Sequence, residues 1–128
     1  MEYARAASIA GTFTAVVFDP GHLSLVKGSP DGRRRFLDAA LCQLYPGYLS
    51  LLRKYTRLVT QKNALLKNYY ATFGGAELLD VFDEKLSEAG QQVSEKRRAY
   101  LELLAPLARE NYRDISQGRE EMEICYLP

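Results

Sequence analysis

The sequence predicts a mainly α-helical protein, an antiparallel helical hairpin of coiled-coil type with a short β-strand at each terminus. Three observations carry that expectation. Apolar residues recur at steps of three and four through Leu37, Leu41, Leu44, Tyr48, Leu51, Tyr55, Leu58, Leu65 and Tyr69, the seam spacing of helices that pack lengthwise. A second run, Leu79, Phe82, Leu86, Ala89, Val93, Tyr100, Leu103 and Leu107, repeats it, and Gly74-Gly75 stands between the two as the reversal. One polar residue interrupts each seam, Lys62 in the first and Lys96 in the second. A helix of 25 residues is about 37 Å long, so such a hairpin forms an arm rather than a ball.

The elements follow in chain order. Met1 to Gly11 is alanine-rich without periodicity and reads as a ragged entry. Thr12–Phe18 is β-branched and aromatic, which predicts a strand. Asp19-Pro20-Gly21 ends it, and His22–Lys27 forms a short helical turn closed by Gly28. Ser29-Pro30 opens the next helix: serine caps, and proline at the first helical position loses no needed hydrogen bond. That helix runs to about Tyr45, although Gly32 occupies the place where a capping box has Glu or Gln. Tyr45-Pro46-Gly47 interrupts the chain, and the following helix reaches about Thr72. In the second seam helix, Pro106 predicts a kink or restart, and Gln117-Gly118 a stop. Glu121–Leu127 alternates Met122, Ile124 and Tyr126 with Glu121, Glu123 and Cys125, which is strand spacing.

Composition bounds the function. The chain has 128 residues, 47% of them hydrophobic, with a formal net charge of +1, which fits one globular domain. That charge conceals an asymmetry. Residues 1–68 carry ten basic side chains against four acidic, and residues 69–128 carry seven against twelve. The basic half offers a surface to phosphate or to acidic protein. No signal segment and no apolar run of membrane-spanning length is visible, so the expected location is the cytoplasm. Cys42 and Cys125 form no CxxC and have only His22 to join them, too few ligands for a zinc site.

No nucleophile motif, metalloprotease motif or phosphate-binding P-loop occurs, and His22 beside Pro20-Gly21 reads as a loop residue. Asp80, Asp83 and Glu84 read as helix-start chemistry, where carboxylates meet the macrodipole. The densest basic group is Lys27, Arg33, Arg34 and Arg35. Successive helical residues point about 100° apart, so at most two share a target. Lys27, Arg33 and Arg34 are the candidates for phosphate or interdomain contact, set against the plainer reading of a solvated or ion-paired helix start. Arg35 is expected to pair with Asp31 or Asp38. Arg53, Lys54 and Arg57 make a second basic strip. Tyr48, Tyr55, Tyr69 and Tyr100 fall on the seams and read as core rather than as base-stacking groups.

Leu25-Val26-Lys27-Gly28-Ser29-Pro30, then Arg33-Arg34-Arg35-Phe36-Leu37-Asp38, then Gln61-Lys62-Asn63-Ala64-Leu65-Leu66-Lys67, in this order and spacing, resemble the middle of the RecF family of bacterial recombination-repair proteins. The resemblance extends from about Phe13 to the chain end. It implies a helical arm, or lid, inserted into an ABC-type ATPase head. It further implies a whole protein that dimerises with ATP and Mg²⁺, binds gapped or single-strand/double-strand junction DNA, and works with RecR and RecO to load RecA in the SOS response. The glycine-rich loop, signature and second acidic motif of such a head have no counterpart in these residues, so the chain by itself is expected to be no enzyme and to hold no cofactor, while the whole protein is a weak ATPase. Two positions depart from the family pattern. Gly21-His22 replaces its acidic residue after the Phe-x-Pro turn, and Gly32 replaces its first-turn glutamate. The alternative is a coiled-coil interaction or dimerisation module without direct DNA contact.

Overall fold

The first long helix begins where Ser29-Pro30 places it, in a computed structural model that describes residues 13–17, 19–71 and 74–127. A 3-10 turn, Pro20–Leu23, leads into α1 (Ser24–Lys27), followed by α2 (Pro30–Leu44), α3 (Tyr48–Lys67), a second 3-10 turn (Tyr69–Ala71) and α4 (Gly75–Ser116). Ser29 occupies the N-cap with extended backbone, yet its side chain makes no capping hydrogen bond. The pre-set φ of Pro30 therefore carries this start.

The break between α2 and α3 follows from its three residues. Tyr45, held extended by the proline after it, donates its N–H to the Leu41 carbonyl at 2.9 Å. Gly47 takes φ 89°, a left-handed conformation that side-chain-bearing residues resist. α3 ends at Lys67, short of Thr72, which lies outside the described residues. Asn68 closes it by donating both its backbone N–H and its side-chain amide to the Ala64 carbonyl, at 3.3 and 3.2 Å. At the reversal Gly74 has φ 67°.

The chain divides into two units, one up to Val93 and one from Ser94 onward. In the first, α3 and the opening turns of α4 run antiparallel: Lys62 bonds Asp83, Lys54 lies 3.8 Å from Glu88, and Tyr55 packs against Gly90. The predicted hairpin is present here. Leu37, Leu41, Tyr48, Leu58, Ala89 and Val93 form the buried core, and all six lie on the predicted seams. Leu41 is fully buried. The Tyr48 hydroxyl donates to Asp38 at 2.6 Å, so its ring joins the core while its oxygen keeps a partner. Leu44, by contrast, is exposed. Lys62 is half-buried with its charge on Asp83, a stem in the seam and a head at its edge.

In the second unit α4 passes through Pro106 without ending, so the helix does not restart there. Proline lacks one N–H, and a helix that continues through it forfeits a single backbone hydrogen bond. Lys96, Leu103 and Leu107 are exposed, and the half-buried line advances one residue to Arg97, Leu101, Leu104, Ala108 and Tyr112. A 3.5-residue repeat drifts about 20° per heptad on a straight helix, and successive steps of four absorb that drift. The stop at Gln117-Gly118 is a Schellman motif: Gly118 N–H reaches the Arg113 carbonyl at 2.9 Å and Gln117 N–H the Asp114 carbonyl at 3.2 Å, with Gln117 itself left-handed at φ 55°.

Neither terminal strand forms among the described residues. Thr12 and Phe18 lie outside them; Phe13 makes an isolated bridge and 14–17 has no regular secondary structure, while Ala15 donates its N–H to the Gln43 side chain at 2.9 Å. The 121–127 segment keeps the predicted alternation, with Met122, Ile124 and Tyr126 half-buried and their neighbours exposed. Its partner is a helix. Tyr112 bonds Glu120, Arg109 Nε donates to the Met122 carbonyl at 3.4 Å, and the Tyr126 hydroxyl lies 3.4 Å from Ser94 Oγ. Period two marks an extended chain with one covered face, and a helix covers that face as well as a sheet does.

Candidate nucleic-acid interface

The predicted basic residues separate into committed and uncommitted groups. Arg33 projects from the first turn of α2 back over the end of α1. Its Nη1 donates to the Gly28 carbonyl at 2.9 Å, with the Leu25 and Val26 carbonyls at 3.4 and 3.5 Å. It thus satisfies carbonyls that the short helix leaves without partners. Arg34 bonds Asp31 at 2.5 Å, which corrects the expected pairing of Arg35. Asp31 prefers the residue three positions on, and Asp38 already accepts from Tyr48. The Arg34 hydrogen bond and charge hold the Asp31 carboxyl below its ordinary pKa, with a smaller contribution from Arg35. Lys27 is exposed at the end of α1.

α3 carries Arg53, Lys54, Arg57, Lys62 and Lys67 and no acidic residue. α4 supplies the counter-charges for two of them, Glu88 for Lys54 and Asp83 for Lys62. At 100° per residue, Arg53 and Arg57 each lie roughly 160° round the helix from Tyr55, away from the α4 contact. They flank a shallow groove lined also by Leu52, Thr56, Thr60 and Gln61. The neutral members escaped the sequence reading, although the i, i+3 and i, i+4 steps from Arg53 and Arg57 were there to find them.

The remaining candidates take structural places. Asp80 and Glu84 lie beyond the first turn of α4, which contains Glu77, and Asp83 serves Lys62; the helix starts at Gly75, earlier than these residues imply. His22 Nδ1 accepts the Asp19 N–H at 3.1 Å. Cys42 and Cys125 are free thiols; burial and then the Asp38 charge push the Cys42 pKa up, only partly offset by Arg53. Among the described residues no three His, Cys, Asp or Glu side chains gather as a metal site, and no helix is long and apolar enough to cross a membrane. At the Gly28-Ser29-Pro30 entry to α2, Pro30 lacks one of the N–H groups that a helix-start phosphate cradle uses.

In sequence the chain is similar to a class of bacterial proteins named for DNA replication and repair. In particular it is similar to RecF of Bacillus thuringiensis (strain Al Hakam) and of Bacillus cereus (strain B4264), each 43% identical over 129 aligned positions. Those positions cover 100% of this chain and 34% of each relative. The chain is therefore RecF-like along its whole length and spans about a third of the length of the curated relatives it matches. No family model matches it, and no solved structure does.

Proposed function

We propose that the chain is the helical arm of a RecF-like protein of recombinational repair and replication, and that its basic half meets DNA. The supporting observation is the end-to-end similarity to proteins named for DNA replication and repair, joined to an α3 that carries five cations and no anion. On this reading ATP and Mg²⁺ belong to a head outside these residues, and the arm performs no chemistry of its own. The DNA is gapped or a single-strand/double-strand junction, and RecR, RecO and RecA are the functional partners in the cytoplasm. The test is a binding titration of the RecF-length protein with gapped and fully paired DNA at several salt concentrations. Preferential, salt-sensitive binding to the gapped form is expected. Absence of binding to gapped DNA would remove the proposal.

A second reading is a dimerisation or interaction module. It draws support from Leu103, Leu107 and Ile115, exposed on α4 amid the acidic half of the chain. Sedimentation at low and high salt separates the routes to self-association: a charge-driven dimer dissociates as salt rises and a seam-driven one persists. A monomer at both salts would exclude it.

A further inference from the structure

We infer that the outward face of α3, centred on Arg53 and Arg57, is a phosphodiester-binding strip, and that Arg33, Arg34 and Lys54 are not contact residues. This rests on the DNA-repair reading above and assigns its contact to one helix face. A cation already held by a hydrogen bond or ion pair inside the protein must give it up before it meets a phosphate: Arg33 bonds the Gly28 carbonyl, Arg34 bonds Asp31, and Lys54 pairs with Glu88 at 3.8 Å. Arg53, Arg57 and Lys67 make no ion pair or side-chain hydrogen bond among the described residues, and all three are exposed.

Geometry supports the same face. Arg53 and Arg57 are one turn apart, about 6 Å along the axis, and Lys67 continues the strip to roughly 21 Å from Arg53. Between the guanidiniums the groove presents Thr56, Thr60 and Gln61, neutral groups of the kind that commonly bond phosphate oxygens. Thr60 donates its hydroxyl hydrogen to the Thr56 carbonyl at 3.0 Å, so Thr56 and Gln61 are the neutral groups left to donate to a phosphate. No carboxylate lines the groove. The complementary ligand is a polyanion with regularly spaced charges, the sugar-phosphate backbone, read without regard to base sequence.

The test is R53Q/R57Q in the RecF-length protein, titrated with gapped, duplex and single-stranded DNA at several salt concentrations. Glutamine removes the charge and keeps helix propensity, and unchanged thermal melting confirms the fold. Loss of two phosphate contacts should lower the slope of log K against log salt by about 1.8 on duplex or about 1.4 on single strand, so the arms report which form lies on the strip. If the two proteins converge at 1 M salt, those slopes correspond to roughly 60-fold and 25-fold weaker binding at 0.1 M. T56E, which sets a carboxylate between intact arginines, should weaken binding in the same direction, while R34Q should leave the slope alone. Wild-type binding to gapped DNA with an unaltered slope in R53Q/R57Q would overturn this assignment and leave the repair reading standing. No binding by the wild type would end both.

Discussion

Arg33 and Arg53 are both exposed arginines, and what separates them is the company each keeps. Arg33 has three backbone carbonyls within reach of one nitrogen, whereas Arg53 has none among the described residues. Asp31 offers a direct check on the neighbouring pair. Its folded pKa is depressed by Arg34, so the interaction is present above the ordinary aspartate value and is lost as pH falls through the lower folded value. NMR titration of the Asp31 carboxyl should give a midpoint below that of a free aspartate, and R34Q should return it to the ordinary range. Two glycines in α4 should respond in opposite senses. A Cβ on Gly90 would sit 3.4 Å from the Tyr55 ring, ordinary contact, so Gly90→Ala should raise stability by about 0.5–1 kcal/mol through backbone entropy. One on Gly75 would meet the Tyr69 ring and carbonyl at 3.3 Å, and Gly75→Ala should lower the melting temperature. Equal shifts for the two would contradict this account of the hairpin.

Helices are the scale at which the sequence was most legible. Period, proline and glycine are local signals, and they placed α2, the α2–α3 break, the reversal and the end of α4 to within a few residues. Leu41 shows why the first seam held: it lies on the predicted spacing and is fully buried, so Leu41→Ala should cost about 2–5 kcal/mol in chemical denaturation. What failed depended on partners that a local pattern does not name. The 121–127 segment alternates as a strand does, but α4 covers its inner face. Leu103 and Leu107 kept the seven-residue count while the helix turned them outward. Arg35 had two carboxylates at suitable spacing, and both were taken by other residues. The end of α4 carries its own prediction. Gln117 holds a left-handed conformation that costs a residue with a Cβ roughly 1–2 kcal/mol, so Gln117→Gly should stabilise the protein by up to about 1 kcal/mol, measured as a higher melting temperature.

Across the whole molecule, the near-neutral net charge is a sum of two unlike halves, and α3 concentrates the basic half into one helix with no anion. α4 neutralises the two lysines nearest to it and leaves the outward arginines available. Half of the proposed strip was legible: Arg53 and Arg57 could be named, but their separation from Arg33, Arg34 and Lys54 required the fold, because commitment is a tertiary property. Similarity over the full chain to about a third of RecF is the setting for the DNA contact proposed for this helix face. The most direct test is arginine-specific chemical modification of the RecF-length protein, mapped by mass spectrometry with and without gapped DNA. Arg53 and Arg57 should react readily in the free protein and be protected by DNA, while Arg33 and Arg34 react slowly in both states. Equal reactivity of Arg53 and Arg57 with and without bound DNA would contradict the account.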